Sequence, residues 1–206
     1  MTSPFEYGGT VEGPAFCNRK KELADLTAAA ASGERLFVYS ERRLGKTSLV
    51  QTVLRDLSKK HYASAYIDLW PTDGEASFIT ATAPALTEAM STTTGQFIEV
   101  AKQLFSRLTP SVTTDADGKP KVTFGLAAGA RPGRELEEVL AAPAKIAESG
   151  KRKVVVVFDE VQQIAEYEDD MVERRLRSII QKHRHVSYLC PRQQKASHPE
   201  DVSRPV

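Results

Sequence analysis

LFVYSERRLGKTSLVQTVLRDLSKK, residues 36–60, carries the pattern from which the fold of this chain can be read. Its first five residues, Leu36–Ser40, are a short apolar run with β-branched and aromatic character, which reads as a buried strand. The turn ERRLG follows. From Lys46 onward Leu49, Val50, Val53, Leu54 and Leu57 recur at three- and four-residue spacing, the apolar stripe of a helix. Between strand and helix, Ser40–Thr47 has the spacing G-x-x-x-x-G-K-[ST], with Ser40 at the position of the first glycine. Backbone N–H groups of a tight loop at a helix N-terminus converge on one point and cradle an anion. Gly45 lets the backbone approach a phosphate with no Cβ in the way. Lys46 suits β- and γ-phosphate oxygens, and the Thr47 hydroxyl suits magnesium. The expected contacts with a nucleoside triphosphate are therefore Ser40, Glu41, Arg42, Arg43, Leu44, Gly45, Lys46, Thr47 and Ser48. A bare GKT arises by chance in many exposed loops; the strand before it and the helix after it carry the reading. Ser40 is small, and its hydroxyl can bond a loop amide, so its departure from glycine bears on the strength of the loop more than on its identity.

KVVVVFDE (153–160) is the strongest strand signal in the chain. Four consecutive valines and a phenylalanine imply burial on both faces, as in the middle of a parallel sheet. Asp159 is then expected at the carboxyl end of its strand, on the same sheet edge as the phosphate loop, where it can hold magnesium directly or through water. Glu160 is the candidate to orient or activate an attacking water, with Lys46 as its catalytic partner on the phosphates. An acidic strand end entering a solvated turn would look the same in isolation, and the upstream loop tips the balance. A glutamate directly after the aspartate favours hydrolysis over small-molecule phosphotransfer.

Around these two segments, strands and helices alternate. Asn18 to about Ala31 reads as a helix capped by Asn18 and ended by Ser32-Gly33. A second strand is expected at Ala63–Leu69. Residues 75–109 carry two helical patterns, the second with Phe97, Val100, Ala101, Leu104, Phe105 and Leu108 on one stripe. A loop over Thr109–Pro120, a strand at Lys121–Leu126 and a glycine-rich connector lead to a helix over Glu135–Ser149. A helix over Asp169–His183, acidic at its start and basic at its end, precedes a last strand, Val186–Cys190. Such alternation predicts an α/β fold with a parallel sheet.

Composition narrows the class. At 206 residues the chain can bury one good core, and a formal net charge of +1 gives no electrostatic reason to expect a polyanion as partner. The apolar runs are only strand-sized, so no membrane span is expected, and the first residues lack the basic and apolar pattern of a secretory leader. Cys17 and Cys190, far apart and without metal-ligand spacing, suit a reducing cytoplasm.

With these pieces in order, the chain resembles the prokaryotic, especially archaeal, AAA-type P-loop ATPases of the STAND-like class. FCNRKKEL (Phe16–Leu23) looks like the family's F-x-x-R-x-x-E-L opening, SERRLGKTSL like its phosphate loop, and AYIDL (Ala65–Leu69) like its second strand. VVVVFDEVQQI resembles its acidic-pair segment, and LRSIIQKHRHVSYL the helix and strand beyond. The resemblance covers roughly residues 12–189. It implies a three-layer P-loop NTPase sandwich with ATP and Mg2+ as ligands, Thr47 and Asp159 on the metal, and Phe16 and Arg19 near the base. Hydrolysis would be coupled to a conformational switch. Arg42 and Arg43 would act on phosphates or at a subunit contact, unless they belong to a solvated basic loop. A protein partner or self-association fits the family, and nucleic acid enters by analogy alone.

Family members usually continue into a polar sensor segment, a fifth strand and a helical lid. Here the apolar pattern stops at Cys190, and PRQQKASHPEDVSRPV reads as disordered. The expected organisation is thus an extended arm over 1–15, a truncated core over 16–190 and a tail over 191–206. Loss of the fifth strand would leave Leu36–Ser40 as an apolar edge. A nucleotide-binding interaction module without turnover is the alternative to an ATPase switch.

Overall fold

A computed structural model describes residues 19–33, 35–40, 46–91, 93–126, 133–150 and 152–193. Its centre is β5 (Val154–Asp159), buried at every position. The run of valines explains that place: an inner strand covered on both faces has no solvated side for a polar residue. β5 pairs in parallel with β2 (Ala63–Asp68) on one side and with β6 (Val186–Gln193) on the other, and β6 pairs with β1 (Arg35–Ser40). The strand order is β1-β6-β5-β2, so β1 and β2 are the edges among the described residues.

Helices cover both faces. α1 (Lys20–Ser32) and α2 (Lys46–Ser58) lie on the face that carries Val155, Val157 and Leu189, with Leu26, Leu49, Val53 and Leu57 filling the layer. α3 (Glu75–Met90), α4 (Phe97–Leu104), α5 (Arg134–Gly150) and α6 (Met171–Ile180) build the larger core against Val154, Val156, Phe158 and Tyr188. There Phe158 stacks between Phe78, at 5.8 Å, and Tyr188, at 6.3 Å between ring centroids. The three-layer α/β sandwich with a parallel sheet is the architecture expected, and among the described residues β1 lies at an edge.

Four local expectations change. α1 begins at Lys20, with Arg19 at its cap position making no side-chain capping bond; Asn18 lies outside the described residues. The stripe from Phe97 to Leu108 is buried almost as read, but only its part up to Leu104 is helix. The chain turns extended at Phe105 and enters an antiparallel hairpin, β3 (Leu108–Thr114) with β4 (Pro120–Leu126), where a loop was expected over 109–120. Threonines and Val112 favour the extended state, and Asp115 closes the turn by accepting the amides of Asp117 and Lys119 at 3.0 and 2.8 Å. α6 is shorter than 169–183, its start set by Asp169 Oδ1 accepting the Met171 amide at 2.9 Å. Finally, β6 runs three residues past Cys190, because main-chain pairing of Pro191, Arg192 and Gln193 with Val38, Tyr39 and Ser40 needs no apolar side chain. The arm over 1–15 and residues 194–206 of the expected tail lie outside the described residues.

Candidate functional site

All four strands of the main sheet run parallel, so their carboxyl ends share one edge. β1 ends there at Ser40, and α2 starts from it at Lys46. β5 ends there at Asp159, and crevices at this edge are where ligands bind open parallel sheets. The loop residues Glu41, Arg42, Arg43, Leu44 and Gly45 lie outside the described residues, as does Phe16.

Asp159 is 3% exposed, yet every described contact of its carboxylate is a donor. Thr47 Oγ1 donates to Oδ2 at 3.0 Å, Tyr66 Oη donates to the same oxygen at 2.6 Å, and the Glu160 amide donates to Oδ1 at 3.0 Å. These three bonds offset the cost of removing a carboxylate from water. They also join the first turn of α2 to the end of β5, the two segments that the sequence pairs in function.

Glu160 has φ 55° and ψ 40°, the left-handed region. A non-glycine residue held there costs on the order of 1 kcal/mol or more, and such strain clusters at functional sites. The conformation turns the chain sharply from β5 into a short 3-10 turn, Val161–Glu166, closed by the Gln163 amide on Glu160 O at 2.9 Å. Gln162 Nε2 donates to Glu160 Oε2. On the other oxygen, Oε1 lies 3.8 Å from Lys46 Nζ, an ion pair beyond hydrogen-bonding reach. Lys46 is 7% exposed, and its Nζ has no hydrogen-bond partner among the described residues. A buried ammonium with three unused donors is a place for an anion.

The structure therefore brings together Lys46, Thr47, Asp159 and Glu160. Ser48 is buried in the first turn of α2, its carbonyl accepting Thr52 Oγ1 at 2.8 Å. Arg19 stands ahead of α1 with its guanidinium on Glu22. Two members of the site were not anticipated: Tyr66 and Gln162. Burial, and then the bond to Asp159, push the Tyr66 phenol far above its ordinary pKa, so it acts as a donor. Its strand was legible in AYIDL, and strand alternation puts Tyr66 on the same face as Asp68; the register that sets it beside Val157 was not legible.

The hard oxygens of Thr47 and Asp159 suit magnesium, which binds through one or two protein groups together with phosphate. The Lys46 ammonium, ion-paired with Glu160 but without a hydrogen bond among the described residues, suits the phosphate itself.

The chain matches the family described as "ATPase domain predominantly from Archaea" over residues 16–190. No curated protein matches it. Among solved structures it is similar to the Walker-type ATPase PABY2304 of Pyrococcus abyssi, with TM-score 0.56 and 15% identity over 92% of this chain and 49% of that one. It is also similar to the Aeropyrum pernix ORC2 protein in its ADPNP–ADP complexes, with TM-score 0.51 and 15% identity over 93% of this chain and 44% of that one. The chain thus spans about half the length of these structures, and at such identity the likeness is one of fold. Among the described residues no helix is long and apolar enough to cross a membrane. The match over residues 16–190 covers most of the chain: it belongs to the family of P-loop ATPase domains found predominantly in Archaea.

Proposed function

We propose that the chain binds ATP with Mg2+ at the edge formed by β1, α2 and β5, hydrolyses it, and uses the cycle as a conformational switch. The observation that carries this reading is the buried, unbonded Lys46 ammonium beside the Thr47–Asp159 link. Magnesium, when bound through Thr47 and Asp159, would neutralise charge on the phosphates and polarise them.

The chain's own residues supply the rest. Lys46 donates to β- and γ-phosphate oxygens, and Ser40, Glu41, Arg42, Arg43, Leu44, Gly45 and Ser48 wrap the phosphates through the loop and the first turn of α2. Phe16 and Arg19 belong on the base side. Glu160 orients and deprotonates the attacking water. The Lys46–Glu160 pair supports the switch: an arriving phosphate draws Lys46 away and leaves Glu160 to Gln162 and the water. The outer edge of β1 suits a protein partner or a second copy, the cytoplasm fits the two widely spaced cysteines, and nucleic acid has only family analogy behind it.

A second reading, binding without turnover, is favoured by one observation. Both oxygens of Glu160 are already engaged, by Lys46 and by Gln162. Phosphate release from Mg-ATP separates the two. Turnover by the parent that falls at least about a hundredfold in Glu160→Gln, with ATP still bound, supports the switch. A parent that binds ATP and releases no phosphate supports the binding module instead.

A further inference from the structure

Asp159 needs more than a buried position to serve a metal. The χ2 torsion of an aspartate is broad and nearly two-fold, so a carboxylate is held in one plane only if its oxygens are bonded. Glu160's amide fixes Oδ1. On Oδ2, Thr47's hydroxyl bond at 3.0 Å is longer than the Tyr66 phenol bond at 2.6 Å. The phenol comes from a different strand: Tyr66 pairs with Val157, two residues before Asp159, and its ring packs half-buried against the α2-side core. The short bond thus ties the carboxylate to the sheet and not only to α2.

We propose that Tyr66 is the positioning residue of the metal site, its phenol holding the Asp159 carboxylate so that the Thr47 hydroxyl points its proton at Oδ2 and its lone pairs at the ion. The proposal rests on the magnesium–nucleotide reading of the same site. A hydroxyl has one proton and two lone pairs, so Thr47 can serve an ion only while an acceptor fixes where that proton goes. Removing the phenol leaves Oδ2 with Thr47 alone and frees the carboxylate to turn. Partners that orient metal ligands in this way typically matter about 10- to 100-fold for metal affinity.

The test is the magnesium-dependent gain in ATP affinity: the ratio of Kd in EDTA to Kd in Mg2+, for the parent and for Tyr66→Phe, with thermal melts of both. The proposal expects the ratio to fall about tenfold in Tyr66→Phe while the protein remains folded. An unchanged ratio overturns it. A Kd that rises equally in EDTA and in Mg2+ also overturns it, since the phenol would then support the fold of the loop and not the ion. A Tyr66→Phe chain that does not fold assigns the hydroxyl to stability and overturns it too. If the parent binds no ATP in either buffer, the nucleotide reading fails first; if the parent binds with a clear magnesium gain, the variant decides.

Discussion

Asp68 and Asp159 stand opposite each other in the sheet, each the last residue of its strand, on the same face and at the same edge. One is exposed and accepts the Trp70 amide at 3.0 Å in its own turn; the other is buried and holds three donors from three segments. Residue type and register are the same, so place decides. Asp68 closes an edge strand, whereas Asp159 closes an inner strand beside the start of α2. Glu138 on α5 extends the comparison. It too is buried and meets three donors, the Ser106 amide and hydroxyl at 2.9 and 2.7 Å and the Arg107 amide at 3.1 Å. Those donors pin the chain between α4 and β3, far along the sequence from the phosphate loop. Donor count therefore marks a carboxylate that the fold has organised, and only its neighbours say for what purpose: Asp159 has Lys46 and Glu160 beside it.

Substitution separates the three acids. Asp159→Asn keeps the shape and removes the charge, and the magnesium-dependent part of ATP affinity should fall about a hundredfold, ~2.7 kcal/mol, by titration in Mg2+ and in EDTA. Asp68→Asn serves as its control: stability and ATP affinity should each stay within about 0.5 kcal/mol of the parent. A large effect at Asp68, or none at Asp159, would break the contrast.

Between these extremes, Glu138→Gln should cost about 1–3 kcal/mol of stability and leave ATP affinity intact, read by denaturant titration. Burial alone would raise the Glu138 pKa, but the bonds from Ser106 and Arg107 outweigh it, and the folded value lies below the ordinary one. Its stabilisation is therefore complete above the unfolded pKa, about 4.3, and is lost as pH falls through the lowered folded value. The parent should lose its advantage over Glu138→Gln on acidification through that range. A stability gap independent of pH would contradict the assignment.

How much of this was legible in the sequence depended on the range of the interactions. β5 and α2 announce themselves because each carries its pattern within one segment: valines buried on both faces, and apolar residues at helical spacing. The link from Thr47 to Asp159 followed from two motifs whose chemistry requires each other. Of the hairpin, β4 was read within one residue of its bounds, but β3 was hidden because Phe105 and Leu108 continue a helical period while facing the core from extended backbone, so burial was read correctly and conformation was not. Tyr66 and Gln162 were hidden for another reason. Their roles depend on cross-strand register and on the left-handed turn at Glu160, and neither leaves a local mark in the sequence.

Everything proposed for this site depends on an anion belonging on the buried Lys46 ammonium, and calorimetric titration of ATP in Mg2+ into the parent and into Lys46→Ala examines that point alone. Saturable single-site binding by the parent is expected, with at least about a hundredfold weaker binding by a folded Lys46→Ala, ~2.7 kcal/mol. Equal binding by the two would refute it.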